Sequence, residues 1–84
     1  MALSASVKGV NTLTPREAEK IILADGWYFK RQTGDHKHYG HDVKQGTVTI
    51  SFQSRPKDIP KKTLASIFKQ AGLDKKKYLY DVHS

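Results

Sequence analysis

The sequence predicts an α+β domain with the element order α-β-β-β-α. Two segments show helical periodicity of their apolar residues, and strand-like alternation fills the region between them. The simplest arrangement that buries two amphipathic helices and one sheet face is a three-stranded antiparallel meander, with both helices on one face. We expect a short helix to follow at the C-terminus.

The first helix has a clear start and stop. Thr14 is expected to cap it, Pro15 occupies the first helical position, and Glu17 can reach back to the cap in a capping box. Gly26 supplies the stop. We predict a helix over residues 15–25, with an apolar face formed by Ala18, Ile21 and Ile22.

Three strands are predicted after this helix. Residues 27–32 are rich in aromatic side chains and alternate in polarity, which favours a first strand. A turn at 33–35 leads to a second strand over 36–41. A turn at 42–46 leads to a third strand over 47–52, where apolar and hydroxyl side chains alternate.

The second helix is predicted to begin at Pro60 and to end at Gly72, with an apolar stripe formed by Leu64, Ile67, Phe68 and Ala71. The preceding residues, 54–59, are expected to form a loop. Asp74 is placed to cap the last short helix, in which we expect Tyr78, Leu79 and Val82 to dock.

Length and composition limit the number of domains and the classes of protein to which the chain can belong. Eighty-four residues fit one domain, which we place at 13–84 after a flexible N-terminal lead-in at 1–12. The chain has no cysteine, which excludes disulfides and thiolate zinc sites. It shows neither a signal peptide nor an apolar run long enough for a membrane span, so we expect a cytoplasmic protein.

The chain is strongly basic. Fifteen Lys and Arg residues against eight Asp and Glu residues give a formal net charge of +7. Such a field attracts polyanions, of which nucleic acid is the first candidate and an acidic protein the second.

Strand alternation predicts which side chains face away from the helices. Trp27, Phe29 and Tyr39 are expected in the core, and the same alternation places the stem of Arg31 beside the core. The remaining strand residues form a polar and basic open face. Its predicted members are Tyr28, Lys30, Gln32, His36, His38, Thr47 and Thr49.

Three of the four histidines fall within residues 33–41. His36 and His38 share one face, whereas His41 falls on the other unless Gly40 forms a bulge. No carboxylate is placed to complete a tetrahedral set, since Asp35 lies at the turn. We therefore predict no metal site; the alternative for His36 is an ordinary exposed histidine at a turn.

Two separated motifs resemble the HicA toxin family. The pattern G-W-x-x-x-R-Q-x-G-S-H-x-x-F/Y is matched by Gly26, Trp27, Arg31, Gln32, Gly34, His36 and Tyr39. The segment 63–73, T-L-A-S-I-F-K-Q-A-G-L, is similar to the family's closing T-L-x-x-I-x-K-Q-A-G-L pattern. The resemblance covers about residues 13–73. One departure is Asp35, which stands where the family has serine.

The resemblance implies a fold like that of the double-stranded RNA-binding domain (dsRBD). It also implies an mRNA interferase, an endoribonuclease that needs no metal or other cofactor and is neutralised by a HicB-like antitoxin. The family's catalytic histidine falls on His36 and not on His38. We expect the protein to be a monomer when it is free of antitoxin.

The predicted open face and the family resemblance together give the candidate site residues. His36 is expected to act as general acid or base in RNA cleavage. Lys30 is the expected cation near the scissile phosphate, and His38 a possible RNA contact. Lys61 and Lys62, at the N-terminal turn of the second helix, are expected to contact phosphates. The alternatives are a non-catalytic RNA-binding module and an interaction domain for an acidic protein.

Overall fold

A computed structural model describes residues 12–52 and 58–79. The predicted order is confirmed: the elements are α1 (Pro15–Ala24), β1 (Tyr28–Thr33), β2 (His36–Gly40), β3 (Val48–Ser51), α2 (Lys61–Ala71) and a 3₁₀ turn (Lys75–Lys77). The strands form one antiparallel sheet in the order β1-β2-β3. Within the described ranges, no helix is long and apolar enough to cross a membrane.

The start of α1 follows the predicted capping box. The Thr14 side chain accepts a hydrogen bond from the Glu17 backbone N–H at 3.2 Å, and the Thr14 N–H donates to Glu17 Oε1 at 2.9 Å. Two N-terminal donors are thereby satisfied, which stabilises the first turn. This cap fixes where α1 begins and therefore which of its faces meets the sheet.

Both helices pack on the same face of the sheet and share one core with it. The buried apolar residues are Leu13, Ala18, Ile22, Trp27, Tyr39, Val48, Ile50, Ile59, Leu64, Ile67, Phe68 and Ala71. Full burial of each large apolar side chain contributes about 1.5–3 kcal/mol. This shared core covers one face of the sheet and leaves the opposite face for other contacts.

The prediction that Phe29 lies in the core is wrong. Phe29 lies opposite Tyr39 but is 51% exposed. The helices make their main contacts with β3, whereas β1 is the far edge strand. Phe29 is therefore half exposed on the strand away from the main helix contacts, with its ring edge-on to Tyr39 at a centroid distance of 6.3 Å.

The predicted last helix is a single 3₁₀ turn. Asp74 caps it as expected, since its side chain accepts from the Lys76 N–H at 3.0 Å. Tyr78 packs against Phe68 at a centroid distance of 5.7 Å, and Leu79 packs against the core. The predicted docking of Val82 lies outside the described residues, as do positions 1–11 of the predicted lead-in and positions 54–57 of the predicted loop.

Candidate functional site

The sheet face opposite the helices carries the candidate site. In β2, Tyr39 is buried beneath the helices, and its hydroxyl donates to Glu19 of α1 at 2.6 Å. Lys37, two residues earlier, also approaches Glu19, at 3.6 Å. Because neighbouring strand residues point to opposite faces, His36 and His38 must lie on the other side. We call this side the open face.

The register of β1 against β2 changes the membership of the open face. Phe29 pairs with Tyr39, but the next pair is Arg31 with His38, so β1 contains one additional residue at a β-bulge. Strand alternation restarts after Lys30. The open face therefore consists of Tyr28, Lys30, Arg31, Thr33, His36, His38, Gly40, Thr49 and Ser51.

Two sequence expectations are wrong because of this bulge. Arg31 was expected beside the core, but it lies directly across from His38 on the open face. Gln32 was expected on the open face, but it pairs with Lys37 on the helix side. Lys30 keeps its expected side, since its Cδ lies over Gly40, the open-face residue at the end of β2. Two cations thus lie side by side next to the histidines.

His38 is fixed by a cross-strand contact. Its Nδ1 lies 3.0 Å from the Thr49 hydroxyl on β3. Partial burial lowers the pKa of the His38 imidazole from its ordinary value, and the nearby charges of Arg31, His36 and Lys30 lower that pKa further. His38 is therefore neutral at neutral pH, and its Nε2 edge is available for polar contacts.

His36 lies at the start of β2, next to the turn. It pairs with Thr33 on one side and Ser51 on the other, and its side chain is exposed. Two residues along a strand separate it from His38, which corresponds to about 7 Å. A phosphodiester group at this end of the open face can contact the His36 imidazole, with Arg31 opposite the neighbouring His38 as the nearer of the two cations.

His41 has a structural position away from the open face. Its Nδ1 accepts hydrogen bonds from the backbone N–H groups of Val43 and Lys44, both at 3.0 Å. The ring proton is therefore on Nε2, which donates to the Asp25 carbonyl at 2.8 Å. The ring packs edge-on to Trp27 at a centroid distance of 5.1 Å. These contacts separate His41 from His36 and His38.

No three-histidine cluster results. In residues 12–52 and 58–79, no group of three or more His, Cys, Asp or Glu side chains is placed to hold a metal ion. The three histidines of the hairpin thus occupy different environments.

Lys61 and Lys62 lie in the helical layer, at the start of α2. The other end of α2 is tied to the β2–β3 loop, because Lys44 Nζ donates to the Ala71 carbonyl at 2.9 Å and to Asp25 at 2.6 Å. The two exposed lysines lie at the opposite end of α2 from that loop, in the helical layer and not on the open face.

Sequence reasoning missed Arg31 as a member of the open face. Residues 27–32 are three aromatic residues followed by three polar ones, and nothing in this segment marks the additional residue. The available signal was the family motif, in which the arginine is one of the fixed letters. A position kept for packing alone would not need a guanidinium group.

The fold and the open face define a class. Two helices on one face of a three-stranded antiparallel sheet, in this element order, form a dsRBD-like α+β domain. A family model described as "HicA toxin of bacterial toxin-antitoxin" matches residues 15–73, from the first residue of α1 to just beyond α2. The chain belongs to the HicA toxin family. A search of curated proteins found no match.

Proposed function

We propose that this HicA toxin is an endoribonuclease that cleaves mRNA and that an antitoxin protein of the HicB type holds it inactive. Family membership supports the toxin role. One observation carries the choice of substrate: the β1 bulge brings Lys30 and Arg31 onto the same face as His36 and His38. Cations around an exposed imidazole suit a phosphodiester substrate.

In the proposed mechanism His36 transfers the proton. As a base it accepts the proton of the attacking oxygen, which belongs to the adjacent 2′-OH or to water; as an acid it protonates the departing 5′ oxygen. Arg31, opposite the neighbouring His38, offsets the charge that develops on the phosphate oxygens, and Lys30, whose stem lies at Gly40, contacts a phosphate farther along the strand. His38, neutral at neutral pH, contacts the RNA. Lys61 and Lys62 contact phosphates that extend beyond the sheet.

The test is RNA degradation by the wild-type protein and by His36→Ala, with and without EDTA. We expect His36→Ala to lose at least about a hundredfold in rate, as is usual for a general acid or base. We expect EDTA to have no effect. His38→Ala is the matched control: it removes the neighbouring imidazole on the same face, so it should raise KM through the lost RNA contact and leave kcat nearly unchanged. Cleavage by His36→Ala at the wild-type rate would overturn the catalytic assignment.

A cell-based test addresses the toxin role. We expect expression of the wild-type protein to arrest growth, His36→Ala to allow growth, and co-expression of the cognate antitoxin to relieve the arrest. Growth that continues during wild-type expression, with the protein present in soluble form, would count against a toxin.

Asp35 favours a second candidate, a non-catalytic RNA-binding module. Its exposed carboxylate directly precedes His36, where the family pattern has serine, and its negative charge repels a phosphate at that point. We predict that Asp35→Ser increases the rate of RNA cleavage several-fold and that Asp35→Asn, which removes only the charge, does the same. If the wild-type protein and both variants bind RNA without cleaving it, the binding module is the correct function.

A further inference from the structure

The open face has a second end, away from His36, where Tyr28 lies opposite Gly40. A Cβ atom built on Gly40 would lie 3.2 Å from Cζ and Oη of Tyr28 and 2.7 Å from Cδ of Lys30. The phenol ring of Tyr28 and the stem of Lys30 therefore lie across β2 at this residue, and they bury Gly40. Any side chain here would displace them.

Tyr28 remains 47% exposed although its ring lies over the strand. The tip of the ring, Cζ and Oη, lies at Gly40 beside the Lys30 stem, and about half of the residue is open to solvent. An exposed aromatic ring next to a cation on a basic face is the arrangement with which proteins bind the bases of single-stranded nucleic acid.

We propose that Tyr28, lying over Gly40, is a base-stacking subsite for single-stranded RNA, and this inference rests on the function proposed above. Gly40 and His36 are four residues apart on β2, a distance of about 13 Å. A stacked strand covers that distance in about four nucleotides and an extended strand in fewer. The base held at Tyr28 thus belongs to the same RNA segment as the phosphate at His36, and the subsite adds affinity for that segment.

Binding is measured in the His36→Ala background, so that the RNA stays intact, with single-stranded RNA of about ten nucleotides as the probe. We expect Tyr28→Leu to weaken the affinity about 5- to 150-fold, the range for loss of one aromatic stacking contact. Tyr28→Phe and Tyr28→Trp keep a ring and should stay within about twofold. Gly40→Ala displaces the ring and should also weaken binding.

Phe29→Leu is the matched control. Phe29 is an aromatic residue of similar exposure on the same strand, but it lies on the helix side. We expect it to leave RNA affinity unchanged. In the His36-containing protein, Tyr28→Leu should raise KM and leave kcat nearly unchanged, which a general loss of structure would not do.

Several outcomes overturn the subsite. These are wild-type affinity in Tyr28→Leu, an equal loss in Phe29→Leu, or a loss in Tyr28→Phe as large as in Tyr28→Leu. If Tyr28→Leu keeps its RNA affinity but binds the antitoxin less well, the residue serves the protein partner, and the inference is wrong. The catalytic proposal fails separately, through unchanged cleavage by His36→Ala, because the stacking comparison depends on binding alone.

Discussion

The three histidines of residues 33–41 differ in their roles because each side chain contacts different groups. His36 is exposed at a strand start, His38 is held by a hydroxyl, and His41 is enclosed by backbone groups. Strand alternation separates His41 from the other two, whereas the partners of each ring are long-range and are set only by the fold. The alternation was visible in the sequence; the partners were not.

His41 should matter for stability and not for chemistry. Its ring binds two backbone N–H groups in the turn after β2 and the Asp25 carbonyl at the end of α1, and its side chain is only 11% exposed. We predict that His41→Ala lowers the free energy of unfolding by about 1–3 kcal/mol, the cost of leaving such groups without partners. Thermal and urea unfolding measure it.

Val43→Ala is the control for this prediction. Val43 lies two residues away and is 84% exposed, so its substitution should change stability by no more than about 0.5 kcal/mol. Equal stability of His41→Ala and Val43→Ala would show that the hydrogen bonds of His41 make no net contribution to the free energy of unfolding.

Gly26 shows why a glycine begins the first family motif. Its φ is +102°, and a Cβ there would lie 2.8 Å from His41 Nε2. A side chain would be strained in this backbone conformation and would also push the imidazole away from Asp25. The motif's Gly-Trp pair thus builds the pocket of a structural histidine, whereas the catalytic proposal concerns His36.

Arg31 can be tested through its neighbour His38. Because the positive charge of Arg31 contributes to the lowered pKa of His38, we predict that Arg31→Gln raises that pKa toward 6.5. NMR titration of the His38 ring measures it. Lys37→Gln removes an equal charge from the helix side of the same strand and should leave the pKa of His38 unchanged. An unchanged pKa in Arg31→Gln would contradict the register of β1.

The lowered pKa of His38 also makes stability depend on pH. The pKa of folded His38 lies below the value near 6.5 in the unfolded chain, so on acidification the unfolded state takes up this proton first. The contribution of His38 to the free energy of unfolding should therefore fall as the pH drops through 6.5.

At the scale of elements, the bounds of the helices and of β3 could be predicted closely, whereas the register of β1 could not. The capping box and the regular alternation of β3 are local signals. The bulge in β1 is not local, because the register is set by how β1 meets β2. All six residues of β1 are exposed, so no buried face specifies that register strongly. The place of Arg31 in the candidate site depends on the register of β1, which the sequence did not specify.

Deletion of Lys30 tests what the bulge contributes. The deletion removes the additional residue and leaves Phe29 opposite Tyr39 and Arg31 opposite His38 in regular alternation. We predict that the deletion variant folds, with a free energy of unfolding within about 1 kcal/mol of the wild type. Its RNA affinity should fall by the same factor as in Lys30→Ala, since each loses one cation. A much larger fall in the deletion variant would mean that the bulge itself aims Arg31.

At the scale of the molecule, the candidate RNA-binding cations of the described residues lie in two layers. Lys30 and Arg31 lie on the open face, whereas Lys61 and Lys62 lie on the helical layer. The described residues extend 37 × 31 × 24 Å. An RNA of about six nucleotides, roughly 20 Å when stacked, fits on the open face, whereas one of about twenty nucleotides reaches past the longest dimension of the protein.

RNA length and salt therefore separate the two sets of cations. We predict that Lys61→Ala combined with Lys62→Ala leaves the binding of the short RNA unchanged but weakens that of the long RNA. For the long RNA, the plot of log affinity against log salt should become shallower by about 1.4, at about 0.7 for each lost phosphate contact. The matched control, Lys76→Ala with Lys77→Ala, removes the same charge from the exposed 3₁₀ turn and should alter neither slope. A slope change that is equal for both RNA lengths, or equal in the control, would mean that Lys61 and Lys62 act through net charge and do not contact the RNA.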